Sequence, residues 1–291
     1  MLRLLTSFTA PKKAAMRDPG IGEVVDGAST SPLLGFAMRV SPLRRQAPTA
    51  RDVAASILYE YQLGELGRQF ATVGLAPVVV KGQAIVDLAF PKEEIRLAGD
   101  VDLLVGDEAE AVVDVLTGLG YEEIPPRSTH FRSEDRSFVQ QGKRLPKLVE
   151  LHQCLDKVLL RPIPYDEILA RAKPSGRPGF RYPEIEDLFL LVVLHASADI
   201  FFDQARVERD LWFLLNHGRP DMAAVWSRAQ QWELSRALRR LLKGHYPAAK
   251  NKPPGPFVYL ANQALWHDSF LTVLRGVAKY SYARLLDRLY P

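Results

Sequence analysis

The hydrophobic periodicity of this chain changes twice, and those changes limit the folds it can adopt. Residues 51–70 have apolar side chains at helical spacing, as in an amphipathic helix. After them, short β-branched or alternating runs such as Val78–Val80 and Asp100–Val105 are typical of buried strands. From Glu184 onward, helical spacing dominates. The pattern predicts an α+β protein, with a mixed β-sheet flanked by helices and then a helical C-terminal part.

The remaining elements follow from the same patterns and from breaking residues such as Pro91 and Gly120. Further strands are predicted at residues 129–133, 137–141 and 147–153. Further helices are predicted at residues 83–90, 108–119, 188–198, 207–215, 222–232, 234–242 and 257–282. Most of the chain is therefore expected to be regular structure.

Composition divides the chain into four parts. Residues 1–48, rich in Ala, Pro, Ser and Gly, are predicted to be a poorly ordered extension. Residues 49–160 form the α+β domain, and residues 161–183, which contain five prolines, are predicted to be a linker. Residues 184–291 form a helical domain. We expect a cleft between the two domains.

Composition also limits the classes of function. The 47% hydrophobic content is enough for a core, and a net charge of +4 suits a phosphate-rich substrate but is too small to imply long nucleic acid. The single cysteine, Cys154, excludes an intrachain disulfide, so a reducing cytoplasm is the expected compartment. Because the longest apolar stretch, Leu188–Phe202, is short and interrupted by polar residues, no membrane span is expected.

Two aspartates in the second strand form the first candidate site. Successive strand residues point to opposite faces, so Asp100 and Asp102 share one face while Val101 and Leu103 point into the core. Two carboxylates this close repel each other unless a proton or a divalent cation lies between them. Oxygen ligands favour Mg²⁺, with Mn²⁺ as an alternative. The alternation alone would indicate only a half-exposed strand, so the neighbouring residues decide the interpretation.

A later strand offers a third carboxylate. In the run from Leu148 to His152, Glu150 and His152 lie on the same face. We expect Glu150 to complete an acidic metal site with the two aspartates. For His152, a substrate contact and a hydrogen-bonded structural role are both open.

Several residues that precede the aspartates in the chain are suited to binding a phosphate group. Gly82, at the end of the first strand, lets the backbone approach an anion at the start of the next helix. Lys81 and Arg96 supply positive charge, and Gly99 adjoins the first aspartate. Lys81 and Arg96 are candidate triphosphate ligands, or alternatively solvated charges or ion-pair partners of the aspartates.

These motifs together resemble a known superfamily. Val80-Lys81-Gly82, the run Arg96–Val105 and Glu150-Leu151-His152 are similar to the nucleotidyltransferase superfamily of DNA polymerase beta. More narrowly, they resemble a bacterial family of uncharacterised nucleotidyltransferases, whose pattern continues in His195-Ala196 and Arg209-Asp210-Leu211. The wider superfamily has a glycine-serine pair where this chain has Gly82-Gln83.

The resemblance covers about residues 51–245 and implies that residues 49–160 are a nucleotidyltransferase domain. It implies that Asp100, Asp102 and Glu150 are the catalytic residues and the ligands of Mg²⁺, with a nucleoside triphosphate (ATP among the candidates) as substrate. From residue patterns, a core or ion-paired role is favoured for His195 and Asp210, with a nucleotide or cleft contact as the alternative.

The reaction implied by the resemblance is transfer of a nucleoside monophosphate to an acceptor hydroxyl. We expect a peptide, protein or small-molecule acceptor, because the charge is modest for nucleic acid. Two alternatives remain open: a toxin-type enzyme that modifies transfer RNA, and a nucleotide- or partner-binding module without turnover.

Overall fold

The computed structural model describes residues 49–91, 100–125, 135–141, 147–156, 161–198, 204–245, 265–276 and 278. The predicted N-terminal extension 1–48 and the predicted strand 129–133 lie outside these residues, and so does half of the predicted helix 257–282.

Helices and strands are interspersed up to residue 182, and the described elements after it are helical. The helices are α1 (Ala50–Thr72), α2 (Gly82–Ala89), α3 (Ala109–Gly118), α4 (Tyr165–Arg171), α5 (Ile185–Ala198), α6 (Gln204–Phe213), α7 (Met222–Gln231) and α8 (Ser235–Leu242), and a π-helical turn at Leu214–Gly218 continues α6. The strands are β1 (Val78–Val80), β2 (Asp100–Leu104), β3 (Glu122–Ile124), β4 (Arg136–Gln140), β5 (Lys147–His152), β6 (Lys173–Pro174) and β7 (Arg181–Tyr182). The predicted α+β class is confirmed.

Within the described residues, the strands form one mixed sheet in the order β3-β4-β5-β2-β1-β7-β6. β2 lies between β1, to which it is antiparallel, and β5, to which it is parallel. β4 pairs antiparallel with the other side of β5. The two strands predicted to carry acidic residues are therefore direct neighbours, although they are more than forty residues apart in the chain.

The Pro-rich segment 161–183 contributes to this sheet. It contains α4, β6 and β7, and β7 pairs in parallel with β1 through Arg181 opposite Val78. Arg181 also donates hydrogen bonds to the backbone oxygens of Ala76 and Leu169. Pro174 pairs with Arg181 from the short edge strand β6, where a missing amide proton is tolerated. The domain boundaries at residues 160 and 184 stay a prediction.

The core follows the helical and strand periods of the sequence. In α1, Tyr59, Leu63, Leu66 and Phe70 recur every three or four residues and are buried, whereas Ile57 is 63% exposed. The apolar residues of β1 and β2 are buried on both faces of the sheet, which is expected for central strands covered by helices.

α5 lies at the centre of the helical part. Its residues from Leu188 to Leu194 are buried on all sides, as expected for a helix that is apolar around its whole circumference. Asp187, in its first turn, is fully buried and accepts hydrogen bonds from Arg171 and Arg228. Across the described part of the chain, no helix is both long and apolar enough to cross a bilayer.

A cluster of ion pairs connects α1 and α2. Arg177 lies 2.7 Å from a Glu60 carboxylate oxygen on α1 and 2.6 Å from an Asp87 carboxylate oxygen on α2. Tyr182 donates a hydrogen bond to Asp87. Because Lys81 connects β1 to α2, these contacts fix the direction of the helix that begins directly after Lys81.

We expect Leu116→Ala to lower the free energy of unfolding by about 2–5 kcal/mol, because Leu116 is fully buried and its removal leaves a cavity. Ile57→Ala is the matched control, since Ile57 is exposed and its loss should cost less than about 0.5 kcal/mol. Urea denaturation of both variants measures the difference. Equal losses in the two variants would contradict this description of the core.

Candidate active site

The site is built on the adjacent strands β1, β2 and β5. In the parallel β2–β5 register, Asp102 lies directly opposite Glu150, and Leu104 lies opposite His152. Opposed residues point to the same face, so Asp100, Asp102, Glu150 and His152 share one face of the sheet, as the sequence predicts. Asp100 is half-buried while Asp102 is buried, so the face becomes less accessible along β2.

Asp102 is the centre of this face. Its Oδ1 accepts a hydrogen bond from Lys81 Nζ at 2.6 Å and lies 2.9 Å from His152 Nε2. Burial opposes the charged carboxylate, but Lys81 and His152 hold the pKa of Asp102 well below its usual range. Asp102 is therefore ionised across the physiological pH range.

His152 is held by carboxylates on both sides. Its Nδ1 lies 2.8 Å from Asp135 Oδ1, while its Nε2 faces Asp102 and lies 3.6 Å from Glu150 Oε2. Burial and Lys81 oppose the imidazolium, but the hydrogen bonds to Asp102 and Asp135 raise the pKa of His152. With a carboxylate on either side, the imidazole ring is fixed in orientation.

Lys81 connects β1 to α2 in an unusual backbone conformation. Its φ of 54° and ψ of −129° lie in a region that L-residues rarely adopt. Burial opposes the charged ammonium, but the Asp102 carboxylate raises the pKa of Lys81. Of the alternatives that the sequence leaves open, the ion pair with an aspartate is the contact present in the structure.

The pKa values of the other two carboxylates, Asp100 and Glu150, are shifted in the opposite direction to that of Asp102. Burial, followed by repulsion from Asp102, raises the pKa of both Asp100 and Glu150. Tyr59 Oη donates a 2.7 Å hydrogen bond to the backbone oxygen of Asp100, which fixes the start of β2. In this group of neighbouring carboxylates, one pKa is lowered and two are raised. Such shifts are typical of sites that bind cations or transfer protons.

Three of these side chains can hold a metal ion. One ligand atom each from Asp102, Glu150 and His152 lies within 4.8 Å of the others. Two carboxylates and one imidazole suit a divalent cation. The third carboxylate on the same face, Asp100, is not part of this group of three, although its oxygens are donors of the kind that Mg²⁺ and Mn²⁺ prefer. The donor chemistry therefore fits the divalent cation expected from the sequence.

The other predicted site residues are distributed as follows. Gly82 is buried and is the first residue of α2, directly after Lys81. Arg96 and Gly99 lie in residues 92–99, outside the described part of the chain. In the helical part, His195 is half-buried and Asp210 is buried.

Asp135 was missed by the sequence analysis. It precedes β4, and the antiparallel register that pairs Arg136 with Leu151 brings Asp135 next to His152. No motif marks it, because the signal is the register of two strands. Arg206, at the start of α6, was also missed; its positive charge opposes the raised pKa of Asp100, after the larger effects of burial, Asp102 and Lys81.

Comparison with known proteins adds one assignment. No curated protein matches the chain. A protein-family model described as an uncharacterised nucleotidyltransferase matches residues 40–243, more than two thirds of the sequence. This span includes the whole acidic site and continues through α8. The resemblance seen in the sequence motifs is confirmed, and the chain belongs to this family of uncharacterised nucleotidyltransferases.

Proposed function

We propose that the protein is a magnesium-dependent enzyme that transfers a nucleoside monophosphate from a nucleoside triphosphate to an acceptor hydroxyl. Family membership supports the reaction class. The observation that carries the proposal is the placement of Asp102 opposite Glu150 on adjacent parallel strands, with ligand atoms close enough to share a cation.

Asp100, Asp102 and Glu150 are the residues that would hold Mg²⁺. When bound, the ion supplies a Lewis acid that neutralises charge on the phosphates and acidifies the acceptor hydroxyl. Asp102, ionised and fixed by His152, is the permanent anionic ligand. His152 is in turn oriented by Asp135, so this pair acts by positioning the aspartate.

Glu150 is the proposed base for the acceptor. Burial and the charge of Asp102 raise the pKa of Glu150 above its usual range, which favours acceptance of a proton. The acceptor oxygen forms a bond to the α-phosphorus, its proton passes to Glu150, and the bond between the α-phosphorus and its bridging oxygen breaks. Pyrophosphate is the leaving group.

The triphosphate is proposed to bind at the start of α2. The first amides of this eight-residue helix follow Gly82, and unpaired amides at a helix N-terminus favour an anion. Lys81 borders the same turn, and Arg96 is retained as a second cationic ligand from the sequence motif. Gly99 adjoins the aspartates in that motif.

The net charge of +4 supports a peptide, protein or small-molecule hydroxyl as acceptor over the end of a transfer RNA. We also propose a cytoplasmic enzyme with two domains, residues 49–160 and 184–291.

A second candidate is a nucleotide- or partner-binding module without turnover. It is favoured by one observation: Asp102 Oδ1 is engaged by both Lys81 and His152, so the central carboxylate already has cationic partners. The two candidates differ in whether a divalent cation binds at Asp102 when nucleotide is present.

We expect the Asp100→Asn/Asp102→Asn double variant to lose magnesium-dependent nucleotide binding by about tenfold or more, equal to about 1.4 kcal/mol, because it loses two anionic ligands. Isothermal titration of ATP, GTP, CTP and UTP with Mg²⁺ measures this and identifies the preferred base. Asp107→Asn, an exposed aspartate just beyond β2, is the matched control. If neither wild type nor control binds any of the four nucleotides, the proposed function is wrong.

We expect Glu150→Gln to bind the preferred nucleotide within a few-fold of wild type but to release pyrophosphate about 10²–10⁴-fold more slowly, because it cannot accept the acceptor proton. The measurement is pyrophosphate release with cell lysate as the source of acceptor. Thermal unfolding of the variant checks that its fold is intact. Unchanged turnover in Glu150→Gln would remove Glu150 from the mechanism, and no turnover in wild type would favour the binding module.

A further inference from the structure

We propose that Lys81 is an internal counter-ion of the metal site, which keeps divalent cations out until a nucleotide draws its ammonium away from Asp102. The inference rests on the proposed function and adds an order of binding to it. The cation enters the site together with the nucleotide, and not before it.

Two nitrogens crowd one carboxylate oxygen of Asp102. Lys81 Nζ lies 2.6 Å from Asp102 Oδ1, and His152 Nε2 lies 2.9 Å from the same atom. The two nitrogens are 3.4 Å apart. A magnesium ion would need to lie at about 2.0–2.1 Å from a carboxylate oxygen. At that oxygen the ion and the ammonium would be held close together in a poorly solvated place, where like charges repel strongly.

Of these two partners of Asp102, Lys81 is the one whose side chain can leave. The His152 side chain is 2% exposed and is fixed from behind by Asp135, whereas the Lys81 side chain is 20% exposed. Lysine also has a flexible four-carbon stem that can move a point charge over several ångströms. Lys81 is therefore the mobile cation of the pair, and His152 is the fixed one.

The proposed phosphate site lies next to Lys81 and offers its ammonium another anionic partner. Lys81 directly precedes Gly82, the first residue of α2, where the triphosphate is proposed to bind. When Nζ moves from Asp102 to a phosphate oxygen, it exchanges one anionic partner for another and leaves the carboxylate available to a metal ion. Loss of the ion pair is thus compensated only when nucleotide is present.

The strained backbone at Lys81 supports the same conclusion. A non-glycine residue at φ 54° and ψ −129° is disfavoured, and such conformations persist where the surrounding structure holds them. Here the turn between β1 and α2 brings the Lys81 ammonium to Asp102. The ion pairs of Arg177 with Glu60 and Asp87 fix the orientation of α2. The backbone stays in place while the side chain changes partner.

This arrangement couples the two ligands. Nucleotide should raise the affinity for the cation, and by thermodynamic reciprocity the cation should raise the affinity for nucleotide by the same factor. Removing the ammonium should abolish the part of the coupling that comes from its displacement. The cation would then bind without nucleotide.

The test is Mn²⁺ binding to the full chain, followed by the electron paramagnetic resonance signal of free Mn²⁺ in the absence of nucleotide. We expect Lys81→Met to bind Mn²⁺ about tenfold more tightly than wild type, within the usual range of coupling between sites. Lys81→Gly should also bind Mn²⁺ more tightly than wild type. Because glycine adopts a positive φ without strain, this variant tests the proposal even if Lys81→Met fails to fold. Lys147→Met, which removes a similarly exposed lysine of β5 that pairs with Glu65, should leave Mn²⁺ affinity unchanged.

The outcomes separate this inference from the function on which it rests. Tighter Mn²⁺ binding in both Lys81 variants, lost when Asp102→Asn is added, supports the counter-ion. Equal affinity in wild type and the Lys81 variants, still lost in Asp102→Asn, overturns the counter-ion and leaves the metal site intact. If Mn²⁺ binds to none of these proteins, with or without a non-hydrolysable analogue of the preferred nucleotide, both the inference and the metal-dependent function are wrong.

Discussion

The parallel pairing of β2 with β5 is the constraint on which the site depends. It places Asp102 opposite Glu150 and brings His152 onto the same face, although the strands are separated in sequence by α3, β3 and β4. A shift of one residue in this register would move the β5 side chains to the opposite face. Val149 and Leu151 prevent that shift, because they are buried on the other face of the sheet. The hydrophobic core therefore fixes the positions of the charged groups.

The charges in turn require partners, because an isolated buried carboxylate is strongly destabilising. Asp102 is compensated by Lys81 and His152, and His152 by Asp135. Asp100 and Glu150 have less compensation, and their pKa values are raised accordingly. The negative charge on this face is therefore compensated at Asp102 but much less at Asp100 and Glu150. These two carboxylates favour the binding of an additional cation.

The sequence predicted the parts of this arrangement that depend on local periodicity. The alternation around Asp100 and Asp102 and the later run around Glu150 were enough to predict the strands and the shared face. The helical spacing of residues 51–70 predicted α1 but not all of its buried face, because Ile57 and Tyr61 belong to that spacing and are exposed. Asp135 could not be predicted, because its contact with His152 depends on the β4–β5 register. Proline content predicted a linker at 161–183, and proline content alone does not indicate that β6 and β7 lie in that segment. The edge strand β6 includes Pro174, a position where proline is tolerated.

Lys81 is where local and tertiary requirements conflict. A lysine is a poor residue for a positive φ, where glycine is favoured, and Gly82 follows immediately. A glycine at position 81 would relax the turn but would leave Asp102 with His152 as its remaining partner among the described contacts. The strain is therefore tolerated because the ammonium balances a buried carboxylate. The same balance explains how one geometry supports both candidate functions. With Lys81 on Asp102 the central carboxylate is neutralised from within, and with Lys81 on a phosphate that carboxylate is open to a divalent cation.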